Sequence, residues 1–184
     1  MTTTSPPLVN LTKPGDTIVA LYNTTVGGST GGKNGSWWQT YEHTPNAIDH
    51  NVSTKYLNKA LGRSTEAGIN TGFHVTPSIS NATVVLGLRF ATSDFIPERD
   101  PISVTLEGSN SSDLDMGSSW TLIYNGPTGI DASVNPGCMV YVPQQNFSNT
   151  VPYKSYRLLV TSKRANSTCV QYSEAHIIGY VYVP

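Results

Sequence analysis

Apolar residues in this chain recur with a period of two, and the 3.6-residue period of an amphipathic helix is nearly absent. In 84–90, Val84, Leu86, Leu88 and Phe90 fall on one face. Ile102, Val104 and Leu106 alternate with Ser103, Thr105 and Glu107; Trp120, Leu122 and Tyr124 repeat the pattern, as do Tyr156, Leu158 and Val160. Near the C-terminus Ile177, Val181 and Val183 stand opposite His176, Ile178, Tyr180 and Tyr182. Such runs describe strands with one buried and one wetted face. Gly, Pro, Asn and Ser punctuate them, as in Glu107-Gly108-Ser109-Asn110 and Asn125-Gly126-Pro127. Many short strands with turn punctuation predict an all-β fold, a β-sandwich of the jelly-roll kind. A length of 184 residues suits one such domain.

The first 15 residues, rich in Thr and Pro, read as an N-terminal arm, with the sandwich over 16–184. Its strand-like patch Leu8–Leu11, and Thr17–Leu21 just after it, can each add to a sheet edge, either of a neighbouring copy or of their own domain.

Only 12% of the residues are charged, and the net charge is −1. That balance argues against nucleic-acid binding, which draws on a clustered basic excess. No apolar run approaches the length that spans a membrane. Solubility must come from elsewhere, and the sequons Asn-x-Ser/Thr supply a candidate. They occur at Asn10, Asn23, Asn34, Asn51, Asn81, Asn110, Asn146 and Asn166, eight of the chain's fourteen asparagines. Chance would give roughly three, so covalent N-glycans and an extracellular or cell-surface location are expected. MTTTSPPLVNLT has neither the charged nor the apolar region of a secretory leader, so the leader of a secreted chain would lie outside this numbering. The two cysteines, Cys138 and Cys169, permit one disulfide in an oxidising compartment, with buried thiols as the alternative. A bridge closing about 30 residues would contribute roughly 3–4 kcal/mol.

Catalytic signatures are missing. Gly27-Gly28-Ser29-Thr30-Gly31-Gly32-Lys33-Asn34 approaches a phosphate-binding loop but ends in Asn34 where a hydroxyl belongs, and Gly35-Ser36-Trp37-Trp38 opens no helix. His43, His50, His74 and His176 lack metal-binding spacing, and no nucleophile elbow is present. The chain is therefore expected not to be an enzyme.

Pro45-Asn46-Ala47-Ile48-Asp49-His50-Asn51-Val52-Ser53-Thr54-Lys55-Tyr56-Leu57-Asn58 resembles the entry loop of discoidin-type, or coagulation factor 5/8 C-terminal-like, domains. The resemblance continues in the family's order through Arg99-Asp100-Pro101, the strand ending Gly108-Ser109-Asn110, Trp120–Ile123, Tyr156-Arg157 and Ser173–Gly179, covering most of 40–180. It implies a galactose-binding-like jelly roll and a structural Ca²⁺. The ligands would be the side chains of Asp49, Thr54 and Glu174, with backbone carbonyls around Ala47 and Asn51, hard oxygens that suit the ion. An Asp-capped turn without metal is the alternative. Two residues depart from the pattern: His50 stands where the family prefers Gly, and Tyr56 where it often has Trp. The family binds glycans, lipids or proteins through loops at one end of the sandwich. Here Trp37, Trp38 and Tyr41 are candidate platforms for sugar rings, with burial as their alternative. Two functions are expected from these features. The first is a non-catalytic structural or adhesive subunit that self-associates through its arm, in the limit a filament. The second is a Ca²⁺-supported carbohydrate-binding module with surface glycans as partners.

Overall fold

The computed structural model describes residues 6–34, 41–60 and 66–183. Two antiparallel sheets pack face to face. In one, β1 (Val9–Asn10), β12 (Glu174–Val181), β6 (Thr83–Ala91) and β9 (Gln145–Asn146) lie in that order. In the other the order is β3 (Gly32–Lys33), β2 (Thr17–Tyr22), β5 (Gly72–Thr76), β10 (Ser155–Lys163), β7 (Pro101–Ser109) and β8 (Thr121–Pro127). A small ribbon pairs β4 (Tyr56–Asn58) with β11 (Val170–Tyr172). Among the described residues the only helical elements are three 3₁₀ turns, so the all-β expectation holds.

The core lies between the inner faces. β10 contributes Tyr156, Leu158 and Val160, and β7 contributes Val104 and Leu106, as the alternation predicts. β6 departs from it. Its register against β12 slips at the Ile178/Gly179 step, so Leu86 is left over and the core receives Val85, Leu88 and Phe90. A bulge moves every later side chain to the other face, which the letters of one strand cannot disclose. Trp120 and Leu122 also leave the predicted face: Trp120 precedes β8, and Leu122 is half exposed.

Residues 9–10 of the arm form a strand along β12 of the same chain, with Val9 opposite Gly179, and Leu11 is buried in the core. This part of the arm therefore pairs within its own domain.

Strand register sets the two ends of the sandwich. At one end Thr83 bridges Tyr153 beside the start of β10. The other end gathers the finish of β6, the start of β12, and the turns between β6 and β7 and after β10. The loops at this second end carry the candidate site.

Candidate functional site

Thr44–Ile48 form a 3₁₀ turn that drives Ala47 and Ile48 into the core and leaves Asp49 at its C-terminal edge. His50 then takes a left-handed backbone, φ 64°, where the family pattern has Gly. The turn folds Asp49 back on its own loop. Its Oδ1 accepts the Asn51 amide at 2.9 Å, and its Oδ2 accepts the Thr54 hydroxyl at 2.6 Å. The same Asn51 amide lies 2.6 Å from Oε1 of Glu174, which is fully buried at the start of β12, and Glu174 Oε2 faces His176 Nε2 at 2.9 Å. Burial raises the Glu174 carboxyl above the ordinary range; His176 opposes that shift, and the facing Asp49 adds to it. Asp49, Thr54, Glu174 and the Asn51 backbone are thus brought together, with Ala47 anchored one residue before the loop turns. The oxygen donors fit a hard cation. The present hydrogen bonds close them on one another, and no cage of three or more His, Cys, Asp or Glu occurs among the described residues. The Asn51 side chain, which accepts the Ser53 amide, is exposed.

Beside this loop stands a second cluster. The Asn46 amide donates to the carbonyls of Tyr41 (2.7 Å) and Lys55 (2.8 Å), tying the two segments together. Lys55 Nζ sits 2.8 Å from Asp94 and 3.5 Å from Glu42. Burial pushes the Asp94 carboxyl up, but hydrogen bonds from Lys55 and Ser93 outweigh it and hold the group below the ordinary range. The triad Glu42–Lys55–Asp94 is flanked by two exposed rings, Tyr41 at 67% and Phe95 at 70%. Phe95 is presented by a strained backbone: Ile96, a β-branched residue, has φ 63° and ψ 71°. Such a conformation costs about 1–3 kcal/mol and persists only where the surroundings enforce it. Here the Gln171 amide donates to the carbonyls of Phe95 and Ile96, and the Arg99 amide donates to Ile96 O at 3.0 Å.

Of the predicted platforms, Tyr41 is exposed at this end, while Trp37 and Trp38 lie outside the described residues. Glu42, Lys55, Asp94 and Phe95 escaped sequence reasoning. The signal was an aromatic residue in the loop between the strand ending at Ala91 and the Arg99-Asp100-Pro101 turn.

The glycine-rich loop is structural. Gly27 N donates to Glu107 Oε1 at 2.8 Å, Gly28 O accepts from Arg157 at 2.9 Å, and Lys33 pairs with Asp115 at 2.7 Å. The expected Cys138–Cys169 disulfide is not formed: Cys138 is exposed in the loop after Gly137, whereas Cys169 is buried. The backbone of Cys169 and Val170 runs so close under Gly68 that even a β-carbon there would collide, so Cys169 lies in a tightly packed stretch while Cys138 stands at the surface. Seven sequon asparagines are exposed. Asn10 is half-buried, its side chain engaged by Thr12 and His50.

No family profile matches the chain, and no characterised protein is recognisably similar to it in sequence. Solved structures are similar in fold. A fucolectin (F-lectin) from striped bass serum superposes with a TM-score of 0.61 at 14% identity, over 95% of this chain and 50% of that one. The chain thus spans about half the length of the fucolectin chain. The family 32 carbohydrate-binding module of C. perfringens NanJ, solved with galactose, gives 0.55 at 9% identity, over 88% of this chain and 93% of that one. A putative chitobiase fragment from Bacteroides thetaiotaomicron gives 0.65 at 12% identity, over 100% of this chain and 99% of that one. The fold is the discoidin-like β-sandwich that the ordered motifs imply.

Proposed function

We propose that this chain is a carbohydrate-binding module and that the end carrying Tyr41 and Phe95 is its ligand seat. The observation that carries the reading is the pairing of two exposed aromatic rings with a partly buried charged triad, Glu42–Lys55–Asp94, on a backbone strained to hold one of the rings out. Sugar recognition needs both parts: a flat apolar surface for the C–H face of a pyranose, and fixed donors and acceptors for its hydroxyls. The similarity in fold to a fucolectin and to a carbohydrate-binding module solved with galactose supports the same reading. The module would be extracellular and N-glycosylated, with surface glycans as partners. Calcium, if bound, would be held by Asp49, Thr54 and Glu174 with the carbonyls around Ala47 and Asn51; its charge would offset the two facing carboxylates and stiffen the loop beside the seat. Self-assembly through the arm is the weaker reading, because residues 9–11 are engaged in their own sheet and core.

The test is a glycan-array screen followed by calorimetry on the best binder. Phe95→Ala and Tyr41→Ala should each weaken binding at least about tenfold, the scale of an aromatic anchor, while the melting temperature holds. Retained affinity in the double variant, or no glycan bound at all, overturns the proposal.

A further inference from the structure

The loop from Gly129 to Pro143 builds a second concave surface, on the flank of the β12–β6 sheet. Ile130 and Val142 anchor it in the core. Between the anchors, residues 139–142 are bonded along the end of β6: the Met139 amide donates to Ser93 O, the Thr92 amide to Val140 O, and the Val142 amide to Phe90 O. Tyr141 is thereby fixed, with its ring partly exposed. It lines a groove of about 480 Å³ with Val134, Pro136, Val140 and Pro143. Asp131 also lines it, with its Oδ1 accepting the amides of both Ser133 and Val134. Beside the groove rather than in its lining, on the strand next to Tyr141, the Arg89 guanidinium lies 4.5 Å from the ring centroid, and Arg89 is exposed with no ion pair among the described residues. His176, opposite Arg89 on β12, completes the row with its ring 5.4 Å from that of Tyr141.

We infer that this groove is a second saccharide site, selective for sugars that carry a carboxylate or sulfate group. The apolar wall and the Tyr141 ring offer a surface for a pyranose face, and the size suits a small ligand. An exposed arginine with no carboxylate partner, kept in place by cation–π contact, supplies a planar fork that matches an oxyanion in two hydrogen bonds. The inference rests on the reading of the chain as a saccharide binder but uses none of the residues at the apical seat, so the two can fail separately.

The experiment titrates the full chain with three tetrasaccharides, one of galacturonate, one heparin-derived and sulfated, and one neutral galactan, read by NMR and calorimetry. In wild type at least one acidic probe should bind better than the neutral one. Arg89→Gln, an exposed and structurally mild change, should weaken that binding about tenfold, and Tyr141→Leu comparably. Phe95→Ala should leave it unchanged. Which acidic probe binds distinguishes a uronate from a sulfated partner. The inference is overturned if neither acidic probe binds, if Arg89→Gln has no effect, or if acidic binding is lost in Phe95→Ala instead. Neutral-sugar binding lost only in Phe95→Ala would uphold the apical seat whichever way the groove behaves.

Discussion

The molecule buries a glutamate completely in two places and treats it in opposite ways. Glu107, on the outer face of the six-stranded sheet, receives both Nε and Nη2 of Arg157 at 2.7 and 2.9 Å. The guanidinium stacks 4.7 Å from the Trp120 ring, and the same two side chains pin Gly27 and Gly28 of the covering loop. Every charge there has a partner. Glu174 instead faces a second carboxylate, Asp49, with one imidazole and one shared amide as its help. A fully matched pair reads as structure, since it leaves nothing for a ligand to satisfy. Two acids turned toward each other are less well matched: burial and the facing Asp49 both raise the Glu174 carboxyl, and His176 alone opposes them.

The largest effect should come from breaking the matched pair. Glu107→Gln leaves a fully buried guanidinium without its counter-charge, and removing one member of such a pair costs about 3–5 kcal/mol. Urea unfolding should show that loss as an earlier midpoint at unchanged slope. A loss under about 1 kcal/mol would mean that water reaches Arg157 after all, and the contrast with Glu174 would weaken. The unmatched site should respond next, and in the other direction. Calcium in hundredfold excess over its Kd should stabilise the wild type by about 2.7 kcal/mol, with chelator reversing it and Asp49→Asn abolishing it. A melting temperature indifferent to both calcium and chelator would assign Asp49 to a capped turn.

Local features were the legible ones. The β10 alternation places Tyr156, Leu158 and Val160 correctly because register there is unbroken up to Val160. Asp49 and Thr54, five residues apart and hydrogen-bonded to each other, were paired through the resemblance to discoidin-type domains. Glu174, more than a hundred residues away, came from the same resemblance. What stayed hidden depends on tertiary placement. The Glu107–Arg157 pair joins residues 50 apart on two strands, and the exposed Phe95 depends on a left-handed Ile96 that propensity would refuse. The cysteines misled for the same reason: their number suggested a bridge, but the fold leaves Cys138 at the surface and buries Cys169.

The smallest effect concerns the one titratable neighbour that the matched site tolerates without a partner. His74 is buried on the same face, its ring 6.4 Å from Trp120, and its Nδ1 has no hydrogen bond among the described residues. Burial lowers its pKa below the ordinary 6.5; Lys33 and Arg157 push the same way, and Asp115 opposes them. The folded chain therefore resists protonation at a pH where the unfolded chain accepts it. Stability from this residue is complete above about pH 6.5 and is lost as the pH falls from there through the lowered folded value. Unfolding free energies at a series of pH values from neutral to mildly acid should fall more steeply in wild type than in His74→Gln. Parallel curves would mean that His74 is charged in the folded state. The outer face would then hold an extra buried cation beside Arg157, and its charges would not be fully matched.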